Sequence, residues 1–342
     1  MNAAPSVKLE PATHPRGVLA ERLLHVDARA RTFATYPFTR LPSLLEAGDL
    51  VVLNDAATLP ASLRTTNHDA ELRLLSREPD GTFRAVAFGA GDFRTKTEER
   101  PLPPRFDRGS VLRFGALSAE VVGIDAHEAR WLTLRFDREG SELLTALYAA
   151  GRVVQYSYVE EPLELWDVQN RYASRPWAFE VPSAGRPLTF GTFGELRARG
   201  IGLAVLTHAA GLSSTGSASL DRRLPVPEQS DIPKETVSAV ENTKARGGRV
   251  IAVGTTVVRA LEGRALESQR LSAGRNETSL VIGAGFHPRI VDGLVTGLHE
   301  PGTSHFALLE AFAERALLVR ALERASSEGF LQHEFGDSML VL

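Results

Sequence analysis

The chain has 342 residues, enough for a sizeable core and for two domains, and its 43% hydrophobic and 24% charged residues are those of an ordinary globular protein. It has no cysteine, which excludes disulfides, thiol nucleophiles and Cys-ligated zinc, and its nine histidines show no His-Glu-x-x-His pairing, so no metal is expected. A formal net charge of −3 gives no general attraction to nucleic acid; with no membrane-length apolar run and no secretory pattern in Met1-Asn2-Ala3-Ala4-Pro5-Ser6, a soluble cytoplasmic protein with no membrane contact is expected.

In chain order, residues 1–20 carry Pro5, Pro11 and Pro15 with little periodicity, which predicts an extended arm laid on the surface. Arg22-Leu23-Leu24-His25-Val26-Asp27 reads as a strand with a hairpin partner over 33–38. A short helical segment over 41–47 leads through Gly48-Asp49 into the buried strand Leu50-Val51-Val52-Leu53. Asn54-Asp55 follows at once. Polar side chains where a strand gives way to a loop commonly hold ligands in α/β proteins, and an Asx-turn accounts for them equally well. Between residues 63 and 149 the pattern changes to short runs rich in apolar and β-branched residues at 70–75, 83–88, 110–114, 119–124 and 129–136, with Asp80-Gly81 as a hairpin turn. These predict a small antiparallel β-barrel, inserted as a separable module that leaves the cofactor pocket to the rest of the chain. The charges over 94–108 are expected to be solvated.

From Gly151 the α/β pattern returns. Glu195-Leu196-Arg197-Ala198-Arg199-Gly200 is a helix ending at a glycine, followed by an apolar strand over 201–206 that stops at Thr207-His208. Pro233 opens a helix through Ala245, closed by Gly247-Gly248, and Val250-Ile251-Ala252-Val253 is a strand covered on both faces. The turn Gly254-Thr255-Thr256 then opens another helix. It lets the backbone approach a ligand and offers N–H groups to an anion, while Arg259, four residues after Thr255, is placed to clamp that anion. Simple helix caps and a solvated arginine would explain the same residues. Residues 285–291 lead through Asp292-Gly293 into a strand over 294–298 that stops at His299-Glu300-Pro301. One long helix is predicted over 304–326, with Leu309, Phe312, Ala313, Ala316 and Leu317 as its core stripe, and a closing strand over 339–342. Three polar strand ends thus reach one sheet edge, with His299-Glu300 a fourth candidate. His299 is poised to exchange a proton near neutral pH, oriented by Glu300 or Asp292; His208 and Asp55 are the other catalytic candidates.

At these residues the chain resembles the S-adenosylmethionine:tRNA ribosyltransferase-isomerase family of queuosine biosynthesis, through nearly its whole length. Gly254-Thr255-Thr256-Val257-Val258-Arg259-Ala260-Leu261-Glu262 is similar to the family's Gly-Thr-Thr-Ser-Val-Arg-Thr-Leu-Glu, and Gly48-Asp49-Leu50 to Asn54-Asp55 to its Gly-Asp-Leu-Leu-Val-x-Asn-Asp. Gln169, Tyr172-Ala173 and Pro182-Ser183-Ala184-Gly185 follow its Tyr-Gln-Thr-Val-Tyr-Ala and Pro-Thr-Ala-Gly. Val291-Asp292-Gly293-Leu294-Val295-Thr296, His299, Pro301 and Ser304 follow its Val-Asp-x-Leu-Ile-Thr-Asn-Phe-His-x-Pro-x-Ser, and Gly336-Asp337-Ser338-Met339-Leu340 its Gly-Asp-Ala-Met-Leu. The resemblance implies an α/β fold, a mixed-sheet domain formed by residues 1–62 and 150–342 and interrupted by the antiparallel β-barrel of residues 63–149. It also implies transfer and isomerisation of the ribosyl part of S-adenosylmethionine onto the aminomethyl group of a 7-deazaguanine in tRNA, with adenine and methionine leaving and no metal involved. Ser183, Gly185 and Asp292 thereby join Asn54, Gly254, Thr255, Thr256, Arg259 and Glu300 as the expected S-adenosylmethionine-binding set.

The departures concern cationic and imidazole groups. Ala56-Ala57-Thr58 and Ala61-Ser62 stand where the family has Thr-Arg-Val and Ala-Arg, and Arg186-Pro187-Leu188 where it has Leu-His-Phe. His208-Ala209-Ala210-Gly211-Leu212-Ser213-Ser214 replaces His-Val-Gly-Leu-Gly-Thr-Phe, and the family's His-Arg-Met-His-Ser-Glu has no counterpart within 220–231. This pattern suggests a retained cofactor pocket and a changed acceptor site. It leaves open tRNA, another amine acceptor, or a non-catalytic S-adenosylmethionine- or nucleotide-binding protein.

Overall fold

The computed structural model describes residues 7–342 apart from Ser213, Arg223 and Pro225. The first six residues, where the arm was expected to begin, and Ser213 of the motif after His208 lie outside the described residues. Nine strands form one mixed sheet in the order Gly274–Thr278, Glu228–Ile232, Gly202–His208, Leu50–Asn54, Val250–Val253, Gly293–Gly297, Ser338–Val341, Arg22–Asp27 and Thr32–Pro37. The four strands from Gly202–His208 to Gly293–Gly297 run parallel. They carry apolar runs because both faces are covered: Leu50, Val51, Val52 and Leu53 are all buried. Leu50, Val52, Leu206, Ala252 and Leu294 face the helices Lys234–Ala245, Thr255–Ser268 and Arg315–Ser327. Val51, Leu53, Ile251, Val253 and Val295 face Phe193 and Leu196 of the helix Phe190–Ala198. Each such side chain contributes about 1.5–3 kcal/mol by burial, so the register of the central strands is strongly set. With a side-chain period of two, Asn54 and His208 prolong the face of Val52 and Leu206.

A second sheet is drawn from one continuous stretch, with the strands Ser62–Arg64, Glu71–Arg77, Phe83–Phe88, Trp131–Phe136, Leu117–Ile124 and Val111–Phe114 adjacent in that order and every neighbouring pair antiparallel. Its outer strands are drawn together where Thr66 N donates to Arg113 O at 2.7 Å and Asn67 Nδ2 to Val111 O at 2.8 Å, which nearly closes a barrel. The helix Gly140–Ala150, which periodicity had not signalled, lays Leu143, Ala146 and Leu147 into this core.

Three expectations are corrected. The arm is partly interior: Leu9 and Ala12 are buried, and Glu10–Pro11 pairs in parallel with Leu331–Gln332. The single helix over 304–326 is two, Ser304–Leu309 and Arg315–Ser327, with Arg315 bonded to Glu310 across the break at 2.6 Å and lying over the Phe306 ring. Arg100, expected to be solvated, is buried on Glu71 at 2.7 Å and on the Gly89 carbonyl. The strand Glu228–Ile232 and the edge strand Gly274–Thr278 beside it were not anticipated, because their polar, half-buried sequences lack a clear apolar alternation. Among the described residues no helix is long and apolar enough to cross a membrane.

Candidate functional site

The carboxyl ends of the parallel strands meet at one edge, and Asn54 ties three of them together. Its Oδ1 accepts from His208 N at 2.9 Å and Ala56 N at 3.1 Å; its Nδ2 donates to His208 O at 3.0 Å and Thr256 Oγ1 at 3.3 Å. Asn54 is therefore the joint of the edge, its amide spent on holding the neighbouring ends in place. Asp55 is similarly engaged, accepting from Thr207 Oγ1 at 2.5 Å and Ser174 Oγ at 2.6 Å.

The helix Thr255–Ser268 begins at Gly254, whose φ of 95° suits glycine and whose backbone turns the chain sharply from strand to helix. No side chain caps this helix, and while Val257 N donates to the Gly254 carbonyl, the N–H groups of Thr255 and Thr256 remain available to an anion. Ser183, Ala184 and Gly185 pack alongside, with the Ala184 methyl group next to Gly254. Gly185 is required there because a Cβ would stand 1.8 Å from the Tyr172 hydroxyl oxygen.

The expectation of a free clamp at Arg259 is corrected. Its guanidinium lies 2.8 Å from Glu228 Oε2, and the same oxygen is 3.4 Å from His208 Nε2. Glu228 is buried and accepts from Gly211 N at 3.1 Å through its other oxygen. Burial pushes the Glu228 carboxyl up, with Arg259 opposing. Burial, aided by the Arg259 charge, pushes the His208 imidazole down to about 3, so it is neutral at pH 7 and a weak proton acceptor. Glu228 is the residue sequence reading missed. The only available signal was an acidic side chain inside an otherwise unassigned stretch.

His299 stands just beyond the strand Gly293–Gly297. Its Nε2 is 2.9 Å from Thr296 Oγ1, and its ring stacks on His305 with centroids 4.7 Å apart. Burial, with the two neighbouring histidines His305 and His333, holds it well below the ordinary imidazole value. Two of the expected residues do other work. Glu300 anchors the N-terminal arm through Leu9 N at 3.1 Å and Gln332 Nε2 at 2.9 Å. Asp292 sits at the opposite, amino-terminal edge of the parallel strands, where it accepts from Val250 N at 2.7 Å and pairs with Lys244 at 2.6 Å. The structure does not bring it to the site. Among the described residues no group of three or more His, Cys, Asp or Glu side chains could hold a metal ion.

Beside His208 a cavity of about 550 Å³ opens between the six-stranded sheet and the strands Glu228–Ile232 and Gly274–Thr278. Phe83, Phe179, Leu59 and Leu147 supply its apolar wall, and Trp177, Glu228, Ser230 and Asn276 also line it. His208, Ser230 and Asn276 are direct cross-strand partners, so one row of polar side chains runs out from the strand end to the sheet edge.

The sequence profile of the family described as queuosine biosynthesis protein matches residues 8–341. The chain is 34% identical over 321 residues to the S-adenosylmethionine:tRNA ribosyltransferase-isomerase of Thermosynechococcus vestitus, covering 91% of this chain and 86% of that one. It is 32% identical over 345 residues to the protein of the same name from Acidiphilium cryptum, covering 98% and 95%. Its fold is similar to the crystal structure of S-adenosylmethionine tRNA ribosyltransferase from Thermotoga maritima, with a TM-score of 0.52, 23% identity and coverage of 97% and 96%.

Proposed function

The chain belongs to the queuosine biosynthesis protein family, a family of S-adenosylmethionine:tRNA ribosyltransferase-isomerases, and from that premise we propose that it transfers and isomerises the ribosyl part of S-adenosylmethionine onto the aminomethyl group of a 7-deazaguanine in tRNA. Adenine and methionine leave. The observation that carries this reading is the joint at Asn54, which assembles the ends of separate strands and the start of the helix Thr255–Ser268 into one preformed polar edge.

In this proposal the uncapped N–H groups at Thr255 and Thr256 receive the methionine carboxylate, with Ser183, Gly185 and Gly254 shaping the approach. Arg259 contributes a charge shared with Glu228, so it orients the donor more than it neutralises it. A sulfonium makes the adjacent 5′ carbon acidic, and a positioned base is needed there. His299, neutral because it is buried, is the candidate placed to accept that proton, with Thr296 fixing its ring; Asp55 is the second candidate and His208, held neutral in the same way beside Glu228 and Arg259, the third.

The test is incubation of the full chain with S-adenosylmethionine and tRNA carrying 7-aminomethyl-7-deazaguanine, with adenine and the modified nucleoside followed by mass spectrometry. Adenine release with ribosylated tRNA is the expected result. Binding of S-adenosylmethionine without adenine release would replace the enzyme by a binding protein built on the same pocket.

A further inference from the structure

We propose that the cavity between the six-stranded sheet and the strands Glu228–Ile232 and Gly274–Thr278 receives a guanine-type base from a single-stranded nucleic-acid segment. The assignment rests on the function proposed above and adds the place where the acceptor docks. At about 550 Å³ the cavity lies in the ordinary range for small-molecule sites and exceeds what one base fills, leaving room for its sugar.

Its two ends differ in chemistry. Deep inside, Ser230 Oγ has no hydrogen-bond partner among the described residues, and Glu228 Oε2, engaged on one side by the Arg259 guanidinium at 2.8 Å, keeps a second lone pair for a donor; both side chains are more than nine-tenths buried. Such groups are costly unless a ligand satisfies them. A carboxylate oxygen beside a hydroxyl matches the Watson–Crick edge of a guanine-type base, whose N1–H and exocyclic amine donate and whose carbonyl accepts. Adenine would turn a ring-nitrogen lone pair towards Glu228. At the mouth, Arg77 and Arg275 are exposed and make no ion pair among the described residues, which leaves their guanidiniums for flanking phosphates. Between the two ends stands Trp177, carried by the strand Arg175–Ala178 that pairs with Ala56–Thr58 just past Asn54-Asp55. Arg175 supports the indole from 4.3 Å and is itself held by Asp231 at 2.8 Å; Arg275 lies further out, at 5.5 Å, free to yield to or close over a stacked base.

The experiment compares the full chain with its Trp177→Ala, Trp177→Phe and Ser230→Ala variants. Steady-state kinetics are measured with S-adenosylmethionine and the modified tRNA, and S-adenosylmethionine affinity by calorimetry. Trp177→Ala is expected to raise the KM for tRNA about ten-fold or more, Trp177→Phe to restore most of it, and neither to change S-adenosylmethionine affinity. Loss of S-adenosylmethionine affinity in Trp177→Ala, with the KM for tRNA unchanged, would place the donor's adenine in the cavity and overturn the proposal. So would variants indistinguishable from the parent in both readouts. Should the parent show no turnover, the free base 7-aminomethyl-7-deazaguanine is titrated by calorimetry. Binding weakened by Ser230→Ala and Trp177→Ala upholds the cavity while the function reading fails; no binding to the parent overturns the cavity as well.

Discussion

Glu228, Arg259 and His208 form a buried group in which each member sets the state of the next. Removing the arginine would leave a carboxylate in a desolvated place, so Arg259→Ala is expected to cost about 3–5 kcal/mol of stability, the usual penalty for orphaning half of a buried pair. Adding Glu228→Gln should recover much of that loss in denaturant unfolding; a double variant as unstable as the single one would show that the pair is not coupled. His208 offers a second test. Its imidazole has an ordinary value of 6.5 and is pushed down to about 3 in the folded chain, so the unfolded chain binds the extra proton between those limits. Its contribution to stability is complete above pH 6.5 and declines as pH falls towards 3, by up to about 1.4 kcal/mol per pH unit. Glu228, raised by burial, acts in the opposite sense, so the comparison must be His208→Asn against the parent. An unchanged slope of stability with pH in that variant would mean His208 does not stay neutral in the fold. For His299, replacement by alanine is expected to lower adenine release by roughly 10²–10⁴-fold with little change in S-adenosylmethionine affinity. Near-parental turnover would move the search for the base to Asp55.

The site depends on how closely elements approach one another. The helix Thr255–Ser268 crosses the edge strand Gly274–Thr278 at Gly263, where a Cβ would stand 2.5 Å from Thr278 Oγ1. Gly263→Ala is expected to push the helix outward and cost about 1–3 kcal/mol, moving Arg259 from Glu228, and Thr278→Ala should relieve it. Thermal unfolding of the single and double variants checks this, and a stable Gly263→Ala would show that the crossing yields to a methyl group. Elements of this kind also mark how far sequence reading reached. The strand Leu50–Asn54, the turn at Gly254 and the helix from Lys234 to Ala245 were legible because each joins an unbroken periodicity to a residue with backbone consequences. The five β-runs of the second sheet were legible for the same reason. Glu228–Ile232 was not, since a strand reading Glu-Gln-Ser-Asp-Ile owes its place to pairing with Gly202–His208 and Gly274–Thr278. That Arg259 would find Glu228 rather than solvent, and that Asp292 would face the other edge, were properties of pairing across distant segments and left no trace in local spacing.

At the scale of the molecule the second sheet shares a small core with chain outside residues 63–149. Leu75, Val86, Phe88 and Trp131 pack with Leu212, Leu220 and Val226 from the segment that leads into Glu228. Excising residues 63–149 would expose those three partners and Phe179 as well. At about 1.5–3 kcal/mol each, this loss approaches the whole stability of a typical domain. The excised chain is therefore expected to lack a cooperative thermal transition; a sharp transition near that of the intact chain would restore the module. The order of strands in the large sheet has a consequence for how the chain is made. Ser338–Val341 lies between Gly293–Gly297 and Arg22–Asp27, and Arg22 N donates to Asp337 Oδ1 across 315 residues. During translation the hairpin Arg22–Pro37 emerges early but has no sheet to join until that late strand clears the ribosome, and Leu23, Leu24 and Val26 stay uncovered meanwhile. A nascent chain that stops short of Ser338 keeps an unseated hairpin and a bare strand edge, features that quality-control proteases and holding chaperones act upon.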